Sequence, residues 1–140
     1  MTPKILSIDD SKTIRLLLAR LFRPFDCAWC EAADGAEGLA VATQERPDLI
    51  ILDYNMPVMD GITMLRKLRE DPTMKRTPVI MLTAESGCEN IAAVARLGVR
   101  DYLTKPFREE ELLAKAGRIV PLVPRLEAAS APDALPANLL

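Results

Sequence analysis

Short apolar runs and helical apolar stripes alternate five times along this chain. Ile5-Leu6-Ser7-Ile8 is an apolar run of strand length. Ser11 then offers an N-cap, and Ile14, Leu17, Leu18, Leu21 and Phe22 recur on one helical face until Pro24 ends it. Residues 27–32 (CAWCEA) predict a weaker second strand, Asp34-Gly35 a turn, and residues 36–45 a helix that stops before Pro47. Leu49-Ile50-Ile51-Leu52 is a second strong run, followed by a loop marked by Pro57 and Asp60-Gly61. Ile62, Leu65 and Leu68 carry a helix to Asp71-Pro72. Val79-Ile80-Met81-Leu82 is the third strong run. Helical spacing returns at Ile91, Val94 and Ala95, with Gly98 as its C-cap. Val99–Leu103 predicts a fifth strand, Lys105-Pro106 breaks it, and Leu112, Leu113, Ala116 and Val120 predict a last helix.

Near-continuous apolar strands separated by helices predict a parallel sheet covered on both faces. The expected fold is therefore α/β, a three-layer doubly wound five-stranded parallel sheet. It occupies residues 1–120. Residues 121–140 hold four of the eleven prolines and three charged residues, and predict an irregular tail or a truncated linker. No room for a helix-turn-helix unit is expected after residue 120.

Composition narrows the chemistry. With 140 residues, 49% of them apolar and 27% charged, the chain has ordinary globular composition and no apolar run of membrane-spanning length. A net charge of −2 gives no basic footprint for nucleic acid. The chain has no histidine, which excludes His-based acid–base catalysis, Ser-His-Asp and Cys-His nucleophiles, and His metal sites. Three cysteines without a secretory signal favour free thiols and a cytoplasmic location. Cys27 and Cys30 lie three apart on a predicted strand, so their side chains point to opposite faces and cannot close a disulfide. Cys88 reads as an ordinary thiol.

Four polar positions follow directly on apolar strands: Asp9-Asp10, Asp53, Thr83 and Lys105. Ligands of open parallel α/β sheets bind outside the carboxyl ends of the strands, so these residues converge on one edge. Three carboxylates in one pocket repel each other and call for a hard cation with oxygen ligands, Mg2+ above all. A carboxylate beside bound Mg2+ can attack phosphorus. Asp53 is the expected nucleophile because it ends the most apolar strand. Lys105 and the Thr83 hydroxyl suit phosphoryl oxygens, and the small Ala84 leaves room for them.

These residues resemble the receiver domain of two-component response regulators, in its stand-alone, chemotaxis-regulator form. The resemblance covers about residues 3–120. It rests on Ile8-Asp9-Asp10-Ser11, on Leu52-Asp53-Tyr54-Asn55-Met56-Pro57-Val58-Met59-Asp60-Gly61, on Leu82-Thr83-Ala84 and on Leu103-Thr104-Lys105-Pro106-Phe107. It implies the flavodoxin-like strand order 2-1-3-4-5. It implies that Asp53 accepts a phosphoryl group from a sensor histidine kinase or phosphotransfer protein. Mg2+, with Mn2+ as an alternative, would be held by Asp10, Asp53 and the Asn55 main-chain carbonyl, and by Asp9 through water. Thr83 and Lys105 would contact the phosphoryl group, with Ala84, Glu85 and Pro106 as neighbours and a cis Lys105–Pro106 bond. Asn55 and Glu85 would line the route of the hydrolytic water. Tyr102 would turn inward as Thr83 moves, reshaping the surface of the fourth helix, fifth strand and fifth helix (roughly residues 86–120). A downstream protein target would sense that change. A monomer or a weak phosphorylation-dependent dimer is expected.

Three other readings compete. A binding module that is never phosphorylated would usually lose one of the acidic pair, Asp53, Thr83 or Lys105. A haloacid-dehalogenase-like phosphatase would carry a second Asp where Asn55 stands, together with a cap domain. A dinucleotide-binding protein would show G-x-G-x-x-G after the first strand, and none is present.

Overall fold

The computed structural model describes residues 2–84 and 91–126. Its elements follow the expected alternation: β1 (Lys4–Ile8), α1 (Lys12–Phe22), β2 (Ala28–Ala32), α2 (Gly35–Glu45), β3 (Leu49–Asp53), α3 (Gly61–Glu70), β4 (Val79–Thr83), α4 (Ile91–Arg96), β5 (Asp101–Thr104) and α5 (Glu109–Gly117). All strand pairings are parallel, in the order β2-β1-β3-β4-β5. This is the doubly wound, flavodoxin-like sheet that the resemblance implied.

Strand alternation sorts the core into two layers. Leu6, Ile8, Ile50, Leu52, Val79 and Met81 pack with Ala42, Leu65, Leu68 and Val94 of α2, α3 and α4. Ile5, Leu49, Ile51, Ile80, Leu82 and Leu103 pack with Leu18 and Phe22 of α1 and Leu112 and Ala116 of α5. Every residue of β3 and β4 is buried, which explains their unbroken apolar runs. Edge strand β2 is partly exposed, so its pattern is weaker. Cys27 and Cys30 are free and contribute to opposite core layers.

Local chemistry moves several boundaries from their expected places. Asp34 is the N-cap of α2 and Gly35 its first residue. The Asp34 carboxylate accepts from the Glu37 amide (2.8 Å), and Glu37 accepts in turn from the Ala33 amide (2.7 Å). A Cβ on Gly35 would meet the Met59 carbonyl oxygen at 2.9 Å, so glycine lets α2 approach the β3–α3 loop. Strand β5 begins at Asp101 rather than Val99. Gly98 sits at φ +80°, and two further residues bring the chain onto the edge of β4. Helix α5 ends at Gly117, and Val120 stays buried because its amide reaches the Ala116 carbonyl (3.0 Å) across a turn.

Beyond residue 120 the chain does not leave the domain at once. Pro124 bridges Phe25 in antiparallel sense, and the Asp26 amide donates to the Val123 carbonyl (2.7 Å). Arg125 donates to the carbonyls of Arg23 (2.8 Å) and Cys27 (3.0 Å). These residues strap the end of α5 to the α1–β2 connection, at the sheet edge opposite the strand carboxyl ends. Among the described residues, no helix is long and apolar enough to cross a membrane.

Candidate functional site

Parity decides which side chains meet. Along β1, β3 and β5 the positions facing α1 and α5 include Ile5, then Leu49 and Ile51, then Leu103. Two-residue steps carry each series to Asp9, Asp53 and Lys105 at the strand ends. The three side chains meet there. Lys105 Nζ lies 3.1 Å from Asp53 Oδ1 and 3.3 Å from Asp9 Oδ2. Asp9 and Asp53 are 1% and 2% exposed, while Asp10 is exposed. One carboxylate oxygen from each of Asp9, Asp10 and Asp53 lies within 4.8 Å of the other two.

Two of the three carboxylates, those of Asp9 and Asp53, are aimed by backbone amides two residues on. The Ser11 amide donates to Asp9 Oδ1 (2.9 Å), and Ser11 Oγ caps α1 by accepting from the Ile14 amide (3.2 Å). The Asn55 amide donates to Asp53 Oδ1 (3.2 Å). The Lys105 amide donates to the Thr83 carbonyl (2.7 Å), so Lys105 is fixed to β4 before its cis bond to Pro106.

The electrostatics are those of an acidic pocket with too few cations. Burial, and then the Asp9 charge, push the Asp53 carboxyl from 3.8 up to about 7, against the opposing pull of Lys105 and the Asn55 amide. Burial works to lower the Lys105 pKa, but the charges of Asp53 and Asp9 outweigh it and raise the value. Lys105 is therefore a charged ammonium at neutral pH. Three oxygen donors around a surplus of negative charge fit a hard divalent cation, and among the described residues no nitrogen or sulfur ligand joins them.

Thr83 and Ala84 lie at the end of β4, between β3 and β5. Thr83 is 1% exposed, and its hydroxyl donates to the neighbouring Ala84 carbonyl (3.2 Å). The Ala84 amide donates to Asn55 Oδ1 (3.2 Å), so the Asn55 side chain is turned to the end of β4. Beside Lys105 lies an apolar cavity of about 410 Å³ lined by Ile14, Leu17, Ala84, Lys105, Pro106 and Phe107. Tyr102 is 46% exposed on β5, at the rim of a second cavity of about 210 Å³ with Val94, Ala95 and Val99. It pairs in register with Met81, two residues before Thr83. Glu85 and Cys88 lie outside the described residues.

Sequence reasoning missed Arg15, whose Nη1 donates to the Asp9 main-chain carbonyl at 2.5 Å. It also missed the Asn55–Ala84 bond. A cation in the first turn of α1, after an acidic pair, was the available signal for Arg15. The Asn55–Ala84 bond had none, because it spans 29 residues.

Comparison with known proteins points in the same direction. The family profile of the response regulator receiver domain matches residues 5–117. The chain is 37% identical to protein PilG of Pseudomonas aeruginosa over 127 residues, covering 91% of this chain and 94% of that one. It is 38% identical to the chemotaxis protein CheY of the same organism over 117 residues, covering 83% and 94%. It is 40% identical to the response regulator PleD of Caulobacter vibrioides over 116 residues, covering 82% of this chain but 25% of PleD, so it spans about a quarter of that relative's length. The solved structure of Vibrio cholerae CheY4 superposes with a TM-score of 0.79 at 37% identity, covering 86% of this chain and all of that one.

Proposed function

The chain belongs to the response-regulator receiver family of two-component signalling, and from that premise we propose that Asp53 is its phosphoacceptor. The observation that carries the reading is the placement of Lys105 Nζ between Asp53 and Asp9, with Asp10 completing the acidic pocket. Among the described residues, both hydrogen bonds to the Asp53 carboxylate end on Oδ1, which leaves Oδ2 as the attacking oxygen. Oδ2 forms a bond to phosphorus as the N–P bond of a phosphohistidine breaks. The imidazole leaves with that electron pair and takes up a proton. The donor is a sensor histidine kinase or phosphotransfer protein. The apolar wall of Ile14, Leu17, Pro106 and Phe107 offers it a dry approach beside Lys105.

Asp10, Asp53 and the Asn55 carbonyl would hold Mg2+, with Asp9 acting through water. The ion supplies positive charge to the transferring phosphoryl oxygens. Lys105 holds one of those oxygens and the Thr83 hydroxyl another, with Ala84 and Pro106 around them. Loss of Thr83 from its present position lets Tyr102 turn from solvent toward the sheet, which changes the α4–β5–α5 surface read by a downstream protein. In this reading the chain is a signalling switch that catalyses its own phosphorylation and dephosphorylation.

The test is intact mass after incubation with acetyl phosphate or phosphoramidate. A gain of one phosphoryl group with Mg2+, absent with EDTA and in Asp53→Asn, supports the reading. No gain under any condition overturns it in favour of a binding module that works unphosphorylated.

A further inference from the structure

We propose that Arg15 is a positioning residue for the acidic pocket: clamped by Glu31, it fixes the Asp9 main-chain carbonyl and thereby the direction in which Asp10 faces a divalent cation. The inference rests on the reading of Asp9, Asp10 and Asp53 as a Mg2+ site.

Arg15 is costly where it stands. It lies in the first turn of α1, where the helix dipole disfavours a cation, and no acidic residue of that turn offsets it. Its side chain is 17% exposed, so a long rotamer-rich chain has been immobilised. Two contacts hold it. Nη1 donates to the Asp9 carbonyl at 2.5 Å, and Nε faces Glu31 Oε1 at 3.5 Å. The other oxygen of Glu31 accepts from Trp29 Nε1 (2.8 Å), and Trp29 stacks on Phe22 with ring centroids 5.3 Å apart. The guanidinium is thus aimed from β2, through a carboxylate that is itself fixed.

The consequence falls on Asp10. The Asp9 amide donates to the Ala32 carbonyl (3.1 Å), and its carboxylate oxygens take Ser11 and Lys105. With Arg15 on the carbonyl, every polar group of Asp9 is engaged. The peptide from that carbonyl to the Asp10 Cα is planar, so the contact fixes the Asp10 nitrogen and Cα, and the Ser11 amide held by Asp9 Oδ1 restrains the peptide that follows. No protein donor among the described residues holds the Asp10 carboxylate, so its aim depends on that backbone.

Charge and positioning predict opposite signs. If Arg15 acted only as a positive charge, its removal would tighten Mg2+ binding. If it positions Asp10, removal weakens binding although a repulsive charge has gone. The experiment is calorimetric titration of the full chain with MgCl2. Arg15→Ala is expected to weaken Mg2+ binding about tenfold, as loss of a group orienting a metal ligand does. Arg15→Gln keeps an N–H donor for the Asp9 carbonyl without charge, and is expected to recover most of the affinity. Unchanged or tighter binding in Arg15→Ala overturns the proposal. If that variant fails to fold, Glu31→Gln provides the test, with about threefold weakening expected from loss of the clamp and unchanged affinity overturning it. Absence of Mg2+ binding in the unmodified chain would overturn the metal reading itself, a result distinct from the others.

Discussion

Replacing Asp53 by Asn should stabilise the metal-free protein at alkaline pH and flatten its pH dependence. The folded state holds the Asp53 carboxyl at about 7 against 3.8 for a free one, because burial and Asp9 disfavour its charge. Between these values the folded protein binds more protons than the unfolded chain, so stability falls as pH rises from about 4 to about 7. At about 1.36 kcal/mol per pH unit the full displacement corresponds to a ceiling of about 4 kcal/mol. Relaxation and water entry reduce that to about 2 kcal/mol. Asn cannot ionise, so it escapes this cost, and Lys105 keeps Asp9 as a partner. The assay is urea unfolding in EDTA at half-unit steps from pH 4 to 9, on the parent chain and on Asp53→Asn. The curves should converge near pH 4 and diverge by about 2 kcal/mol at pH 8. Mg2+ at about 100 times its Kd should restore about 2.7 kcal/mol to the parent at pH 8 and less to the variant. Parallel curves, or a parent that gains stability with pH relative to the variant, would refute the reasoning.

Four further outcomes follow from single contacts. The Arg69 guanidinium, pushed below its usual pKa by burial, donates to the carbonyls of Leu97 (2.6 Å), Thr77 (2.8 Å), Met74 (3.1 Å) and Gly98 (3.2 Å), joining the ends of α3 and α4. Arg69→Met should therefore cost about 3 kcal/mol in chemical unfolding, and Arg69→Lys most of that, since an ammonium cannot span the four. Val58 is 91% exposed at φ +67°, inside a tight turn closed by Met59 N to Pro57 O (2.7 Å), so Val58→Gly should raise stability by about 1 kcal/mol. Ser7 Oγ is buried without a hydrogen-bond partner, and Ser7→Ala should be neutral or stabilising by up to about 1 kcal/mol in the same assay. Arg125→Ala should cost about 1 kcal/mol and increase amide exchange at Asp26, whose N–H meets the strap at Val123.

The sheet was legible because burial on both faces leaves strands no polar alternative. Leu49–Leu52 and Val79–Leu82 could be little else, and Asp53 and Thr83 followed as the first polar residues at their ends. Strand ends alone did not show which of the polar side chains share a face; the structure shows that Asp9, Asp53 and Lys105 continue the series that faces α1 and α5. The boundaries that moved depend on tertiary contact. Val99 is apolar because it packs against the core layer of α2, α3 and α4, although it precedes the β5 ladder. Val120 keeps the helical spacing only because a turn returns it to Ala116. The Pro-rich composition after residue 120 suggested departure from the domain. What holds residues 123–125 is a set of main-chain and guanidinium bonds to residues about a hundred positions earlier, which composition does not encode.

The pocket's charge balance explains why its parts occur together. Among the described residues, Asp9, Asp10 and Asp53 share the pocket with one ammonium, that of Lys105, which leaves a surplus of two negative charges when all are ionised. Arg15 does not reduce the surplus, because Glu31 matches its charge. Without a cation, burial and then the Asp9 charge favour a proton on Asp53, which puts its pKa at about 7, and a protonated Asp53 is a poor nucleophile. A divalent cation removes the surplus and the reason for the proton at once. In the proposed reading, attack by Asp53 would thereby be coupled to ion binding through electrostatics. Below pH 7 a proton competes with the cation for Asp53. The Mg2+ concentration needed for half-maximal labelling by phosphoramidate should therefore rise toward tenfold for each pH unit lowered. A half-maximal concentration independent of pH between 5 and 7 would mean that proton and cation do not compete at this carboxylate.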